Sequence, residues 1–241
     1  MARWNTDTVP PSLLVTLPKL SIVMPVLNEA AGLGAALLAL APLTARGVQL
    51  IVSDGGSHDA TVALAEAAGA FVVAAPSGRA LQMNAGAQQA TAPVLVFLHA
   101  DTELPKNADC LIDQALADGA AVWGRFDVRI AGRSRWLRLI AALMNRRSRW
   151  SGIATGDQAM FMTRAAFDAV GGFPAQPLME DIEMSRRLRR RSPPACLRAT
   201  VLTSGRRWET RGVWRTVLLM WRLRLAYWRG VAPERLAELY R

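Results

Sequence analysis

Hydrophobic positions fall in short unbroken runs along the first hundred residues. Leu20 to Leu27 (LSIVMPVL), Val48 to Ser53 (VQLIVS), Ala70 to Ala75 (AFVVAA) and Pro93 to Leu98 (PVLVFL) are apolar and largely β-branched. Runs of this length without polar alternation are what strands buried on both faces require. Ala/Leu-rich or mixed segments separate them. One helix is expected from Ala30 to about Leu40, a second begun by Asp59 as its cap and reaching Ala68, and a third from Arg79 to Ala90. Strands alternating with helices describe a parallel sheet with right-handed crossovers. Polar residues follow strands one, two and four directly, and in open α/β sheets ligands bind at that carboxyl edge.

After Gly119 the pattern loosens. Expected elements are a strand within Ala120 to Ile130, a basic amphipathic helix from Ser134 to Arg147, and a short strand from Gln158 to Thr163. A helix from Glu180 to Arg191, a strand near Leu197 to Thr203, a long helix from Gly212 to about Arg229 and a helical tail from Pro233 to Tyr240 follow. There is no internal repeat or low-complexity linker. The expected organisation is an N-terminal extension (1–19), one catalytic domain (20–205) with halves 20–118 and 119–205, and a basic, Trp-rich helical segment (206–241).

Charge changes this picture because it is unevenly spread. The 241 residues hold 29 Lys+Arg and 19 Asp+Glu, a formal net charge of +10. Residues 1–120 carry 5 basic and 10 acidic groups, and residues 121–241 carry 24 and 9. The basicity therefore belongs wholly to the second half. That argues against a coat for nucleic acid and for a localised anionic partner. With 51% hydrophobic residues, a sizeable core is expected and disorder is excluded. Cys110 and Cys196 lack metal or redox spacing. No stretch of roughly 20 apolar residues is present, so no membrane span is expected. The expected location is cytoplasmic, with peripheral attachment to the inner face of the cell membrane as a further expectation.

The strand ends hold the candidate chemistry. The first ends in Pro25-Val26-Leu27-Asn28-Glu29, and the second in Asp54-Gly55-Gly56-Ser57-His58-Asp59-Ala60-Thr61. Asp54 with its glycines can be simply a turn. Neither a G-x-G-x-x-G nor a G-x-x-x-x-G-K-[ST] loop follows either strand, so a nucleotide would have to be held by other means, such as a carboxylate accepting from a base N–H. The fourth strand ends in His99-Ala100-Asp101. On an extended segment His99 and Asp101 would share one face and could present two ligands to a divalent cation. The plain alternative is a capping Asp beside a half-buried His. The acidic pair Glu180-Asp181 suits either a helix N-terminus or a general base.

Taken together, Pro25 to Glu29, Asp54 to Thr61, Gly78-Arg79 with Asn84-Ala85-Gly86, His99 to Asp101, and Glu180-Asp181 resemble a family 2 glycosyltransferase in order and spacing over residues 20–191. Within that family the chain resembles the small bacterial group named for association with radical-SAM and selenoprotein-related genes. The resemblance implies a GT-A fold, a Rossmann-like, mostly parallel sheet flanked by helices. It further implies inverting, metal-dependent transfer of one sugar from a nucleotide-sugar, a UDP-sugar by preference, to an acceptor hydroxyl. By the same resemblance Pro25, Val26, Glu29, Asp54, Arg79, Asn84 and Ala100 belong to the nucleotide site. Asp101 is the metal ligand, a Mg²⁺ or Mn²⁺ ion being the cofactor, with His99 where the family commonly has the first Asp of D-x-D. Asp181, with Glu180, supplies the base, and Gly156-Asp157-Gln158 forms the acceptor loop. Arg206 and Arg207 are candidates for holding the diphosphate.

The resemblance leaves the partners of the basic half open. Trp136, Leu137, Ile140 and Met144 recur at helical spacing, as do Trp214, Leu218, Trp221, Leu225 and Trp228. The ordinary expectation is a core-facing stripe with solvated arginines opposite. The sharper one is an interfacial helix on an anionic membrane, delivering a lipid-linked or hydrophobic acceptor. A nucleotidyltransferase would need a Gly-rich basic loop after strand one, where Asn28-Glu29-Ala30 stands. A non-catalytic membrane or nucleic-acid binder is suggested by charge alone, and no nucleic-acid partner is expected.

Overall fold

The computed structural model describes residues 17–240. Most of the expected N-terminal extension, residues 1–16, lies outside them. The first half builds β1 (Leu20–Val26), α1 (Ala30–Thr44), β2 (Gln49–Asp54), α2 (Thr61–Ala67), β3 (Phe71–Ala74), α3 (Arg79–Gln89), β4 (Val94–Phe97), β5 (Thr102–Glu103) and α4 (Ala108–Leu116). The second half builds β6 (Trp123–Ala131), α5 (Trp136–Ser151), a 3₁₀ turn at Gly156–Gln158, β7 (Met160–Thr163), α6 (Arg164–Ala169), α7 (Glu180–Leu188) and β8 (Ala195–Ser204). Three helices close the described chain: α8 (Arg206–Arg211), α9 (Val213–Trp228) and α10 (Pro233–Tyr240).

One eight-stranded sheet runs through both halves, in the order β3-β2-β1-β4-β7-β6-β8-β5. Its first four strands are parallel, as the apolar runs require. The sheet is mostly parallel, as expected, but mixed beyond β4. Strand β7 enters antiparallel to β4 and to β6, and β5 antiparallel to β8, while β6 and β8 are parallel. Alternate side chains of the strands feed opposite faces. Ile22, Met24, Val26 and Val96 join a core with Leu33, Leu37 and Leu40 of α1. Val23, Leu95 and Phe97 join a second core with Met83 of α3, Phe167 of α6 and Met184 of α7.

Several boundaries depart from expectation for physical reasons. Helix α1 continues through Pro42 to Thr44, because the hydrogen bond Pro42 cannot donate is lost in the last turn, four residues after an exposed Leu38. Helices α4 and α6 and the two-residue β5 were not foreseen. In α4, Ala108 and Ile112 face the core at helical spacing, a short signal that the polar flanks conceal. Asp59 sits before the cap position of α2, where its carboxylate accepts from Thr61 N and Oγ1 and also from Ala30 N at the start of α1. One side chain thus ties the first turns of two helices together.

The largest correction concerns α9. The stripe of Trp214, Leu218, Trp221, Leu225 and Trp228 does not face a core, and Trp221 and Trp228 are 71% and 87% exposed. The opposite face packs instead, with Leu219, Met220, Leu223, Ala226 and Tyr227 meeting Leu178 and Met179 before α7 and Leu236 of α10. A helix apolar around most of its circumference can bury only one side against the domain, and here the Trp-bearing side is left outward. Trp136 of α5 stacks edge-on against Trp214 at 5.1 Å between ring centres, so the exposed apolar face extends across both helices.

The sheet's packing against α3 depends on Gly86, where a Cβ would come within 2.5 Å of Cγ1 of Val23, a fully buried residue of β1. Gly86→Ala is expected to destabilise the fold by about 1–3 kcal/mol through overpacking, read as a lowered urea midpoint at unchanged slope.

Candidate active site

Because the register aligns Val26 with Asp54 and both with Ala74, strands β1, β2 and β3 end at one edge of the sheet. The chain leaving β4 turns sharply there: Thr102 N donates to His99 O at 3.1 Å, and β5 then pairs Thr102 with Thr203 of β8. His99-Ala100-Asp101 is therefore a turn. The extended segment assumed from sequence is absent, and shared side-chain direction no longer follows from it. Asp101 is exposed, its carbonyl accepts from Ser204 N, and among the described residues its carboxylate accepts only from the Thr102 hydroxyl at 3.3 Å. His99 instead lies against Gly156, where a Cβ would meet its ring at 2.3 Å, and its Nδ1 is 3.6 Å from Asp157 Oδ1.

Around this turn lies a cavity of about 450 Å³. Asp101, His99, Asp157, Glu180 and Asp181 line it together with Arg79, Arg206, Arg207 and Arg224. Helix α7 brings the acidic pair. Met179, in the left-handed region at φ 67°, turns the chain sharply into the helix and so aims Glu180 and Asp181 at the cavity. A non-glycine residue held there costs of order 1–3 kcal/mol, a burden that concentrates at functional sites. Ala159, just after the Gly156 turn, and Asn28, just after β1, are the other two such residues described. Asp181 Oδ2 accepts from Gly156 N at 2.9 Å and Oδ1 from Ile182 N at 2.7 Å, which fixes the carboxylate and leaves each oxygen a further lone pair.

Glu180 is 2% exposed and accepts from Arg79 Nη1 at 3.3 Å, bridging α7 to α3. Burial, then the neighbouring Asp181 charge, push its carboxyl above the usual value, against the pull of Arg79. For Asp157 burial acts upward too, but the His99 hydrogen bond and charge, with Arg79 and Arg207, outweigh it and hold the carboxyl below its ordinary value. Arg207 stacks over the Tyr240 ring at 4.6 Å, and Arg206 Nη2 approaches Glu29 Oε2 at 3.9 Å. Burial and the like charge of Arg79 lower the Arg207 pKa.

Not every residue singled out from sequence lines the cavity. Asn84 forms a two-way pair with the backbone of Phe173, accepting from its N–H and donating to its carbonyl, each at 2.9 Å. That is a strut between α3 and the segment before α7, and Asn84 is not among the residues lining the cavity. The Ala100 methyl lies in the core beneath the turn. Gln158 is fully buried, its Oε1 accepting from Thr155 N in a capping box around the 3₁₀ turn. Asp54 accepts from Gly56 N and Ser57 N at 3.0 Å and from Ser57 Oγ at 2.5 Å, so it holds its own loop. Val26 O accepts from Gly55 N and Gln82 Nε2. Gln82 was missed from sequence, as was Arg224. Only the packing of α9 beside α7 brings that arginine to the cavity.

The glycosyl transferase family 2 model matches residues 21–175, and the chain belongs to that family. It is a glycosyltransferase of the GT-A fold, which sets aside the nucleotidyltransferase and non-catalytic readings. Among solved structures, glucosyl-3-phosphoglycerate synthase from Mycobacterium tuberculosis, in complex with Mn²⁺, UDP and glucosyl-3-phosphoglycerate, is similar with a TM-score of 0.59. Its identity is 21% over 77% of this chain and 71% of that one. S. aureus TarS 1–349, in complex with UDP-GlcNAc, gives a TM-score of 0.63 at 14% identity, over 77% of this chain and 58% of that one. At such identities the likeness is one of fold. No curated protein matches the chain in sequence.

A carboxyl with a raised folded-state pKa contributes stability that is present at pH below its unfolded value and is lost as pH rises through the folded one. Glu180 therefore weakens the fold toward neutral pH. Glu180→Gln, which keeps an acceptor for Arg79, is expected to flatten the fall in stability above the ordinary Glu range, measured as urea midpoints from pH 4 to 8.

Proposed function

We propose that the protein transfers a single sugar from a UDP-sugar to an acceptor hydroxyl, with inversion at the anomeric carbon. The observation that carries this reading is the convergence of Asp101, Asp181 and Arg79 on one cavity at the carboxyl edge of the sheet. The similar solved structures with bound UDP support the choice of base. In this reading Pro25, Val26, Glu29 and the Asp54 loop border the nucleoside. Arg79, Arg206 and Arg207 face the diphosphate.

A divalent cation fits the donor set. Asp101 offers an exposed, hard carboxylate at the cavity. Among the described residues no group of three or more His, Cys, Asp or Glu could hold a metal alone, as suits Mg²⁺ or Mn²⁺, which keep few protein ligands and complete their shell with phosphate oxygens and water. Bound there, the ion would neutralise charge on the departing diphosphate. Every other requirement falls to the chain. Asp181, oriented by Gly156 N and Ile182 N, takes the proton of the attacking hydroxyl. Glu180 keeps Arg79 in place, and Arg79 and Arg207 answer the negative charge that builds on the leaving group. Attack from the Asp181 side, opposite that group, inverts the centre.

The acceptor side is formed by 119–205 together with α8 to α10, which wall the cavity. The outward Trp face of α5 and α9, set among Arg135, Arg138, Arg215, Arg222 and Arg229, has the composition of an interfacial surface on anionic lipid. No described helix is long and apolar enough to cross a membrane. Peripheral attachment, bringing a lipid-linked acceptor to Asp181, belongs to this reading.

UDP with Mn²⁺ is expected to raise the melting temperature, by about 2.7 kcal/mol of stabilisation at a hundredfold excess over Kd, and Asp101→Ala to remove the Mn²⁺-dependent part. Asp181→Asn is expected to lower sugar transfer by about 10²–10⁴-fold with UDP affinity retained. Unchanged turnover would refute the role of Asp181. In pelleting with phosphatidylglycerol vesicles, Trp221→Ser with Trp228→Ser is expected to abolish a salt-sensitive association. Equal pelleting of the variant would refute the membrane face.

A further inference from the structure

His99 is built into the fold more firmly than an open metal ligand needs to be. Its side chain is 15% exposed and lies across the Gly156-Asp157 turn at two points. At the first, a Cβ on Gly156 would fall 2.3 Å from Cε1 and 2.5 Å from Nε2. At the second, Nδ1 is 3.6 Å from the Asp157 carboxylate. The backbone does not demand a glycine here, since φ at Gly156 lies outside the left-handed region. The glycine serves space: only a residue without Cβ lets the turn approach the ring this closely.

Both sides of that contact are held from behind. Leu98 N donates to Val23 O and Thr102 N to His99 O, while the Thr102 hydroxyl bonds the buried Thr203 hydroxyl at 3.0 Å. On the other side of the seam, Ala154 exchanges two hydrogen bonds with the Ser185 hydroxyl of α7, and buried Gln158 closes the capping box on Thr155. Between these fixed ends, Gly156 is placed by what touches it. On its Cα side that is the His99 ring. On its N–H side it is Asp181 Oδ2, which accepts from Gly156 N at 2.9 Å. Such a bond weakens steeply as its length and angle depart from ideal, and misplacing a reacting group by about 1 Å costs about 10²-fold in rate.

We infer that His99 is a positioning residue for the base: its ring is a wedge that sets the Gly156 N–H against Asp181 and so ties the Asp101 turn to the carboxylate that takes the acceptor proton. His99 stands where the resemblance expected a metal ligand, but it supplies bulk in place of a lone pair. The inference rests on the proposed role of Asp181 and adds to it how the donor turn and the base keep their separation. Without the ring a gap opens beside Gly156, and the turn is free to move off Asp181. A methyl group on residue 156 fills that gap from the opposite side and restores the contact.

The test is amide hydrogen exchange, followed residue by residue by nuclear magnetic resonance on the full chain. Asp181→Ala is expected to raise the exchange rate at residue 156 by about tenfold or more through loss of the acceptor, and His99→Ala to do the same with Asp181 intact. Exchange at Val96 of β4 is expected to stay within about twofold in both, which separates a freed turn from a loosened sheet. His99→Ala combined with Gly156→Ala is expected to return the rate to within about threefold of the parent, a non-additive rescue that general damage does not give. Unchanged exchange in either single variant, or no rescue in a folded paired variant, overturns the inference. If the paired variant does not fold, the comparison of His99→Ala with Asp181→Ala decides alone. Calorimetric titration of UDP with and without Mn²⁺ is expected to give His99→Ala the affinity of the parent. A tenfold loss seen only with Mn²⁺ makes the ring a metal ligand and overturns the wedge. If UDP fails to bind the parent while exchange at residue 156 still depends on both side chains, the donor reading falls and the wedge stands.

Discussion

The antiparallel pairing of β7 with β4 is the constraint on which the rest of the structure depends. Four parallel strands, with helices on their faces, would by themselves end in an open edge at β4. Strand β7 closes that edge with the register Val94↔Thr163 to Phe97↔Met160, and β6 and β8 extend the sheet beyond it. Since β4 leads into the Asp101 turn and β7 follows the Gly156 turn, one ladder of backbone hydrogen bonds sets the two loops facing each other. The cavity lies at that seam. The hydrogen bond from Gly156 N to Asp181 and the contact of His99 with Gly156 then follow from where the strands must sit.

Electrostatics divides the cavity in the same way. The carboxylates on it are each held by a different device: Asp101 by almost nothing, Asp157 by His99, Glu180 by Arg79, and Asp181 by two backbone N–H groups. The graded restraint matches the tasks proposed for them, since a metal ligand must remain free while a base must be aimed. The positive charge of the second half is likewise not a diffuse coat. At the cavity Arg206 and Arg207 of α8 and Arg224 of α9 join Arg79 of α3, which belongs to the first half, around the acidic pair.

Much of this was legible in the chain because its signals are local. The apolar runs specify buried strands whatever their neighbours, and the polar residues after Leu27, Ser53 and Leu98 mark the ligand edge without any knowledge of pairing. What escaped was tertiary. The antiparallel entry of β7 depends on which edge is open, and Met160 to Thr163 is an apolar run in either direction. Asn84 falls within a recognisable pattern, yet its partner Phe173 is 89 residues away and no periodicity points to it. The α9 stripe is a true periodicity, but periodicity names a face and not what it looks at. Arg224 was invisible because nothing in sequence connects helices that meet only in the folded chain.

The outward tryptophans also make the protein an unequal optical object. Trp123 is wholly buried, with its indole N–H on Ser192 O, and it responds only when the sheet itself comes apart. Trp150, Trp214, Trp221 and Trp228 stand in water. Their emission therefore starts red-shifted and quenchable, and it moves to the blue when an apolar surface covers α5 and α9. A denaturation curve followed at the buried wavelength and a docking curve followed at the exposed one read different parts of the same molecule, with no label added.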